Sequence, residues 1–126
     1  MERPDLSAAP LPPAAPRLER LKKRREFLRT AARGKRAARP GLVLQALPVA
    51  EASLRLGFTV TKKIGNAVIR NRARRRLKEA ARLTLPGMAL SGWDLVLIGR
   101  DATAERPFPL LIEDLRAALR QAGVAP

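Results

Sequence analysis

The 126-residue chain has no cysteine and no histidine, and its aromatic content is only 3%, one tryptophan and three phenylalanines. Lack of cysteine excludes a disulfide framework, and lack of both residues excludes thiolate and imidazole metal ligands. The side chain most used for proton transfer near neutral pH is likewise missing. Acidic residues are few, 11 against 26 Lys and Arg, and they are scattered. Asp94, Asp101 and Glu105 stand singly, and Glu113-Asp114 reads as a solvated helix face. With no carboxylate cluster marked for a metal ion, no catalytic residue and no metal ligand are expected in the chain. The apolar runs are much shorter than the ~20 residues that span a bilayer. The N-terminus has neither the basic-then-apolar order of a secretory signal nor the Arg- and Ser-rich pattern of a transit peptide. The expectation is a cytoplasmic protein that does not associate with membranes.

What the chain has in excess is positive charge, a formal net of +15. Such an excess repels itself in a compact fold, and a polyanionic partner is the simplest reason to tolerate it. Nucleic acid fits that role better than an acidic membrane surface. The apolar content of 46% suffices for one core, built mainly from Leu, Ala, Val and Ile. Residues 1–16 (MERPDLSAAPLPPAAP) hold five prolines and no periodic apolar signal, so a disordered Pro/Ala-rich tail is expected there. A Pro-rich docking peptide is the functional alternative for that stretch. Residues 17–126 read as one compact domain, the candidate nucleic-acid binder. Within it the charge is uneven: residues 17–39 carry 11 basic side chains and residues 62–82 carry nine. From residue 83 onward there are four basic and five acidic residues, so the last third is nearly neutral. Two basic segments on a neutral scaffold suggest a surface with a purpose.

Periodicity places the elements. Arg24 to Arg33 reads as a short helix that Gly34 closes as a C′ residue. Residues 41–47 and 54–61 read as strands. In the second, Leu54, Leu56, Phe58 and Val60 share one face, opposite Arg55, Gly57, Thr59 and Thr61. Asn66 is a candidate cap for a helix running to about Leu85, which Pro86-Gly87 ends. Residues 93–99 (WDLVLIG) read as a buried strand. Pro109 to Ala122 is an amphipathic helix with Leu111, Ile112, Leu115, Ala118, Leu119 and Ala122 on one face. The expected class is α+β, in the order helix, strand, strand, strand, helix, strand, helix (αβββαβα).

The stretch Thr59 to Arg82, TVTKKIGNAVIRNRARRRLKEAAR, is the most informative. At about 100° per residue, Ile69, Ala73, Leu77 and Ala80 form a narrow apolar stripe. Beside it Arg70, Arg74, Lys78 and Arg82 form an i, i+4 row, with Arg72 and Arg75 further round. Each like-charged pair costs an isolated helix roughly 0.2–0.5 kcal/mol. Phosphates are the natural compensation, because a guanidinium can grip them bidentately and can also stack on bases. RNA recognition relies on such contacts more than on groove reading. The plainer alternative is a solvated basic face. Lys62, Lys63 and Asn66 at the start of the same helix favour a site. Arg76 projects near the edge of the apolar stripe, where it must snorkel outward or meet a partner.

The run KKIGNAVIRNRARRRLK resembles the signature of the bacterial ribonuclease P protein family, whose hallmark is an Arg-Asn-Arg-x-(Lys/Arg)-Arg core. Here that core is Arg70, Asn71, Arg72, Ala73, Arg74 and Arg75. The resemblance extends to RLKKRREF (Arg20 to Phe27), to Gly34 and to RLGFTVTKK (Arg55 to Lys63), and in hydrophobic pattern to WDLVLIGR and the last helix. It implies an α-β sandwich on a four-stranded central sheet, with an unusual left-handed strand–helix–strand crossover. It implies an accessory protein subunit of a ribonucleoprotein endoribonuclease that removes the 5′ leader of precursor tRNA. The implied partners are the catalytic ribonuclease P RNA and precursor tRNA, and no stable protein partner is expected. The RNA subunit would carry the catalytic groups and hold most of the Mg2+.

By the same resemblance Lys63, Asn66, Arg70, Asn71, Arg72, Arg74, Arg75 and Lys78 face the RNA and substrate; Lys62 and Arg82 join them from the charge pattern. A concave cleft on the first helix and the sheet would hold the single-stranded leader, with Phe27, Ala31 and Gln45 at its positions. Phe27 could stack on a leader base, or be an ordinary packing residue. Ala31 and Gln45 stand where relatives carry aromatics, and Arg76 where they often carry an apolar residue. A small basic ribosomal RNA-binding protein is the alternative function, and a general nucleoid or membrane-associated basic protein a second.

Overall fold

The computed structural model describes residues 18–126. The Pro/Ala-rich stretch 1–16 lies outside the described residues. The elements are β1 (Leu18–Arg20), α1 (Arg24–Arg33), β2 (Lys35–Arg39), β3 (Leu42–Pro48), β4 (Leu54–Thr59), α2 (Ala67–Thr84), β5 (Trp93–Gly99) and α3 (Phe108–Gln121). Short 3-10 turns at Lys62–Ile64 and Pro86–Met88 flank α2. The strands form one mixed sheet in the order β1-β4-β5-β3-β2. β4 and β5 run parallel, joined through α2, whereas β3 is antiparallel to both β5 and β2.

The sheet therefore has five strands where four were expected. The additional one is β1, three exposed residues aligned in parallel beside β4. β2 supplies the strand of the expected order that the pattern did not locate. Its sequence, KRAAR, has no apolar alternation, and it becomes a strand by pairing with β3 across the Pro40-Gly41 turn. Gly41 is needed there, because a Cβ would lie 2.5 Å from the Asp114 carboxylate that accepts the Gly41 N–H at 2.9 Å.

Strand alternation sends Leu54, Leu56, Leu95, Leu97, Leu42, Leu44, Ala46 and Ala37 to one face. There they meet Leu77, Ala80 and Ala81 of α2 and Leu111, Leu115, Ala118 and Leu119 of α3. This is the main core. Truncating a fully buried member such as Leu77 to Ala would cost about 2–5 kcal/mol. Ile69, expected on the same stripe, is 37% exposed because the first turn of α2 projects beyond the packed region. α3 ends in a complete Schellman motif: Gly123 takes φ +79°, its N–H reaches Arg120 O, and the Val124 N–H reaches Leu119 O.

Gly34 does not play the expected C′ role. Its backbone is extended (φ −80°, ψ 166°), and its N–H bonds Thr30 O. Glycine is required for space, since a Cβ would stand 2.6 Å from Thr30 O and 2.7 Å from Ala46 O. Nor is Glu113-Asp114 wholly solvated: Glu113 is exposed, but Asp114 is buried and paired with Arg106 at 2.5 Å.

The opposite face of the sheet carries α1. Its anchor is ionic. Arg55 on β4 donates Nε and Nη2 to the two Asp94 carboxylate oxygens of β5 at 2.8 and 2.7 Å, and Nη1 to Glu26 of α1 at 2.8 Å. Asp94 is completely buried, and Arg29 of α1 approaches it at 3.6 Å. Glu26 also accepts the N–H groups of Lys22 and Lys23, both at 3.0 Å, which closes the start of α1.

Candidate nucleic-acid interface

The interface is built on α2 and the turn before it. Asn66 starts the helix as expected, its carboxamide accepting the Ile69 N–H at 3.0 Å. Lys62 and Lys63 sit exposed in the preceding 3-10 turn. Because Ala73, Leu77, Ala80, Ala81 and Thr84 turn to the core, the intervening positions turn outward. Asn71, Arg74, Arg75 and Lys78 surround one shallow recess on this surface. Arg74 Nη1 donates to Asn71 Oδ1 at 3.2 Å, which orders the guanidinium without neutralising it. Arg70 is half-buried and reaches Gly65 O at 3.4 Å, also without meeting an acid. Among the described residues Lys62, Lys63, Arg70, Arg74, Arg75 and Lys78 form no ion pair.

Two expected members are less available. Arg82 is held in a bidentate pair with Glu79 at 2.9 and 2.6 Å, which lowers the Glu79 carboxyl and raises the Arg82 guanidinium from their ordinary pKa values. Arg72 lies on the other flank, 3.7 Å from Glu105, with both side chains well exposed. Arg76 does not snorkel outward. It turns onto the segment before α3, donating Nε to Thr103 O at 3.0 Å and Nη2 to Arg106 O, with its guanidinium 5.7 Å from the Phe108 ring centre. It is a structural tie next to Arg74 and Arg75, which meet no acid among the described residues.

The expected leader-binding positions lie on the α1 face of the sheet. The register aligns Arg36, Gln45, Val96 and Gly57 in one row across the sheet. The Phe27 ring sits directly over Gly57: a Cβ there would come within 2.6 Å of Phe27 Cζ. Phe27 is half-buried, Ala31 is exposed one turn later, and Gln45 is half-buried two strands from Gly57, about 10 Å away. Thr59 and Ile98, paired in the next outward row, are also only partly covered. The three cleft positions thus lie on the α1 side of the sheet, where a trough for a strand would run between α1 and the partly covered Gln45, Thr59 and Ile98.

What sequence reasoning missed is the support of that trough. Glu26, Arg55 and Asp94 fix α1 to β4 and β5, and Gly57 makes room for Phe27. Two signals pointed there. A lone aspartate in the apolar run WDLVLIG needs a cation when buried, and Glu26 stands three residues after Lys23, the spacing of an acid that closes a helix start. Two backbone N–H groups, then Arg55, hold the Glu26 carboxyl down to about 2. The carboxylates raise the already high pKa of Arg55, led by Asp94.

The family model described as Ribonuclease P matches residues 15–123. The chain belongs to the ribonuclease P protein family. It is 59% identical over 111 residues to the ribonuclease P protein component of Gluconacetobacter diazotrophicus, covering 87% of this chain and 96% of that one. The corresponding component of Chloroflexus aurantiacus is 40% identical over 111 residues, covering 87% and 82%. Among solved structures, the Staphylococcus aureus RNase P protein superposes with a TM-score of 0.72 at 27% identity, over 85% of this chain and 97% of that one. The Thermotoga maritima RNase P protein gives 0.71 at 30% identity, over 82% and 96%. The chain is accordingly the protein component of a ribonuclease P, an endoribonuclease of tRNA processing, and its partner is the ribonuclease P RNA. The ribosomal alternative is not favoured.

Proposed function

We propose that α2 and the turn before it are the RNA-binding face of this ribonuclease P protein, and that the trough beside α1 takes the 5′ leader of precursor tRNA. The observation that carries this reading is the set of cations with no acidic partner among the described residues, Lys62 and Lys63 in the turn before α2 and Arg70, Arg74, Arg75 and Lys78 on the helix itself, which its apolar side anchors. Arg74, Arg75 and Lys78 grip phosphates, Asn71 orients Arg74, and Asn66 holds the helix start. Lys62 and Lys63 extend the positive field beyond that start. Arg72 and Arg82 exchange their carboxylate partners for phosphate when RNA docks.

In the trough, the half-buried Phe27 ring offers a stacking surface worth about 1–3 kcal/mol per base. Ala31 and Gln45 leave space and one amide where an aromatic would stack, so leader binding rests more on backbone electrostatics. The chain itself contributes no catalytic group in this reading. Among the described residues no three Asp or Glu side chains come together as a metal site. Mg2+ bound by the RNA would supply the activated water for phosphodiester cleavage; the protein adds affinity, substrate choice and charge screening. The complex works in the cytoplasm.

Reconstitution tests the reading. Protein and ribonuclease P RNA together should cleave precursor tRNA at low Mg2+ faster than the RNA alone. A folded protein that gives no enhancement would refute it. Shortening the leader should reduce the gain if the trough is its site, and an unchanged gain would remove the trough from the account.

A further inference from the structure

The last third of the chain is nearly neutral in sequence, yet the fold sorts its charges. Of its acids, Asp94 is buried on the α1 face with Arg55, and Asp114 is taken by Arg106 and the Gly41 N–H. Its remaining arginines converge on the β2–β3 turn. Arg39, Arg106, Arg116 and Arg120 surround a cavity of about 470 Å³, with Glu113 and Asp114 as the acids at its wall. Arg116 and Arg120 are exposed one helical turn apart. Arg100, just after β5, donates to Arg39 O at 2.8 Å. Among the described residues none of Arg39, Arg100, Arg116 and Arg120 meets a carboxylate, and Arg39 Nε is buried without any partner.

The place of this cluster matters as much as its charge. Thr59 pairs with Ile98, and Gly99 pairs with Leu42, itself opposite Arg39, so the end of β4 and the β2–β3 turn share one end of the sheet. β4 leads directly into Lys62, Lys63 and α2. Three strand spacings, roughly 14 Å, separate β4 from β2. The connection between β5 and α3 bridges the gap, fixed to α2 by Arg76 and touched by Arg72 at Glu105. One polyanion can therefore run from the start of α2 across that end of the sheet to α3.

We propose that Arg39, Arg116 and Arg120 form a second phosphate-binding surface, which takes the sugar–phosphate backbone of the RNA that docks on α2. This rests on the reading of α2 as the RNA face. The test uses the full chain and a transcript of a bacterial ribonuclease P RNA. Binding is measured against salt for Arg116→Gln/Arg120→Gln and, separately, for Arg74→Gln/Arg75→Gln, with thermal melts to verify folding. Two lost phosphate contacts should flatten the slope of log K against log salt by about 1.4–1.8 and weaken binding about tenfold near 0.15 M salt. Hydroxyl-radical footprinting should show a separate protected stretch lost in the α3 variant and retained in the α2 variant. An unchanged slope for the α3 variant, with the α2 slope reduced, overturns the second surface alone. A reduced slope with protection weakened uniformly also overturns it, because net charge would suffice. Unchanged slopes for both pairs overturn the α2 reading and this inference with it.

Discussion

Replacing Arg55 with methionine removes three hydrogen bonds while keeping an unbranched apolar stem in place of the aliphatic part of the side chain. Two of them satisfy Asp94, whose carboxylate is fully buried, and the third reaches Glu26 on α1. Stripping one partner from a buried ion pair typically costs about 3–5 kcal/mol, because the other charge stays desolvated. Arg29, 3.6 Å from Asp94 and itself 47% exposed, compensates in part, so the lower end applies, about 3 kcal/mol. With an unfolding entropy of about 2.1 cal/mol/K per residue over the 109 described residues, that loss lowers the melting temperature by about 13 °C. Urea denaturation followed by far-UV circular dichroism measures the first figure and a thermal scan the second. Adding Asp94→Asn to the variant should restore at least half of the loss, since the uncompensated charge is then gone. A cost below about 1 kcal/mol, or no recovery in the double variant, would refute the claim that this pair fastens α1 to the sheet.

Adjacent arginines on α2 should separate cleanly. Arg75→Ala should leave stability nearly unchanged and reduce the salt slope of RNA binding by about 1. Arg76→Ala should do the reverse, costing about 2–3 kcal/mol through lost carbonyl hydrogen bonds and the Phe108 contact, with the slope unaltered. Equal behaviour of the two in paired melting and binding assays would contradict the orientation of the helix. Gly57→Ala forces a methyl group into the Phe27 ring, and should cost about 1–3 kcal/mol and change the Phe27 aromatic resonances in NMR spectra. The pH dependence follows from Glu26, whose carboxyl is lowered from 4.5 to about 2 on folding. Its stabilisation is complete above about pH 4.5 and is lost as pH falls toward 2. The difference in urea midpoint between wild type and Glu26→Gln should therefore be constant near neutrality and close over that acidic window.

The sequence by itself determined the elements that bury a periodic apolar face. α1, α2, α3 and β5 fall within a residue or two of their expected bounds, because a stripe such as Leu111, Leu115, Ala118 and Leu119 leaves a helix one way to face a core. It also determined the charged arc of α2, since seating Ala73, Leu77 and Ala80 inward forces Arg74, Arg75 and Lys78 outward. β1 and β2 were not legible, because LER and KRAAR carry no alternation and become strands only when a neighbour offers its edge. The same limit hid the Arg55 network. Its members are 29 and 39 positions apart in the chain, and only the stacking of α1 on two adjacent parallel strands brings them into contact. Which arginine is free and which is spent was likewise decided by tertiary structure: Arg75 and Arg76 are chemically identical neighbours, and one faces solvent only because the other meets the carbonyls of a segment 27 and 30 residues away.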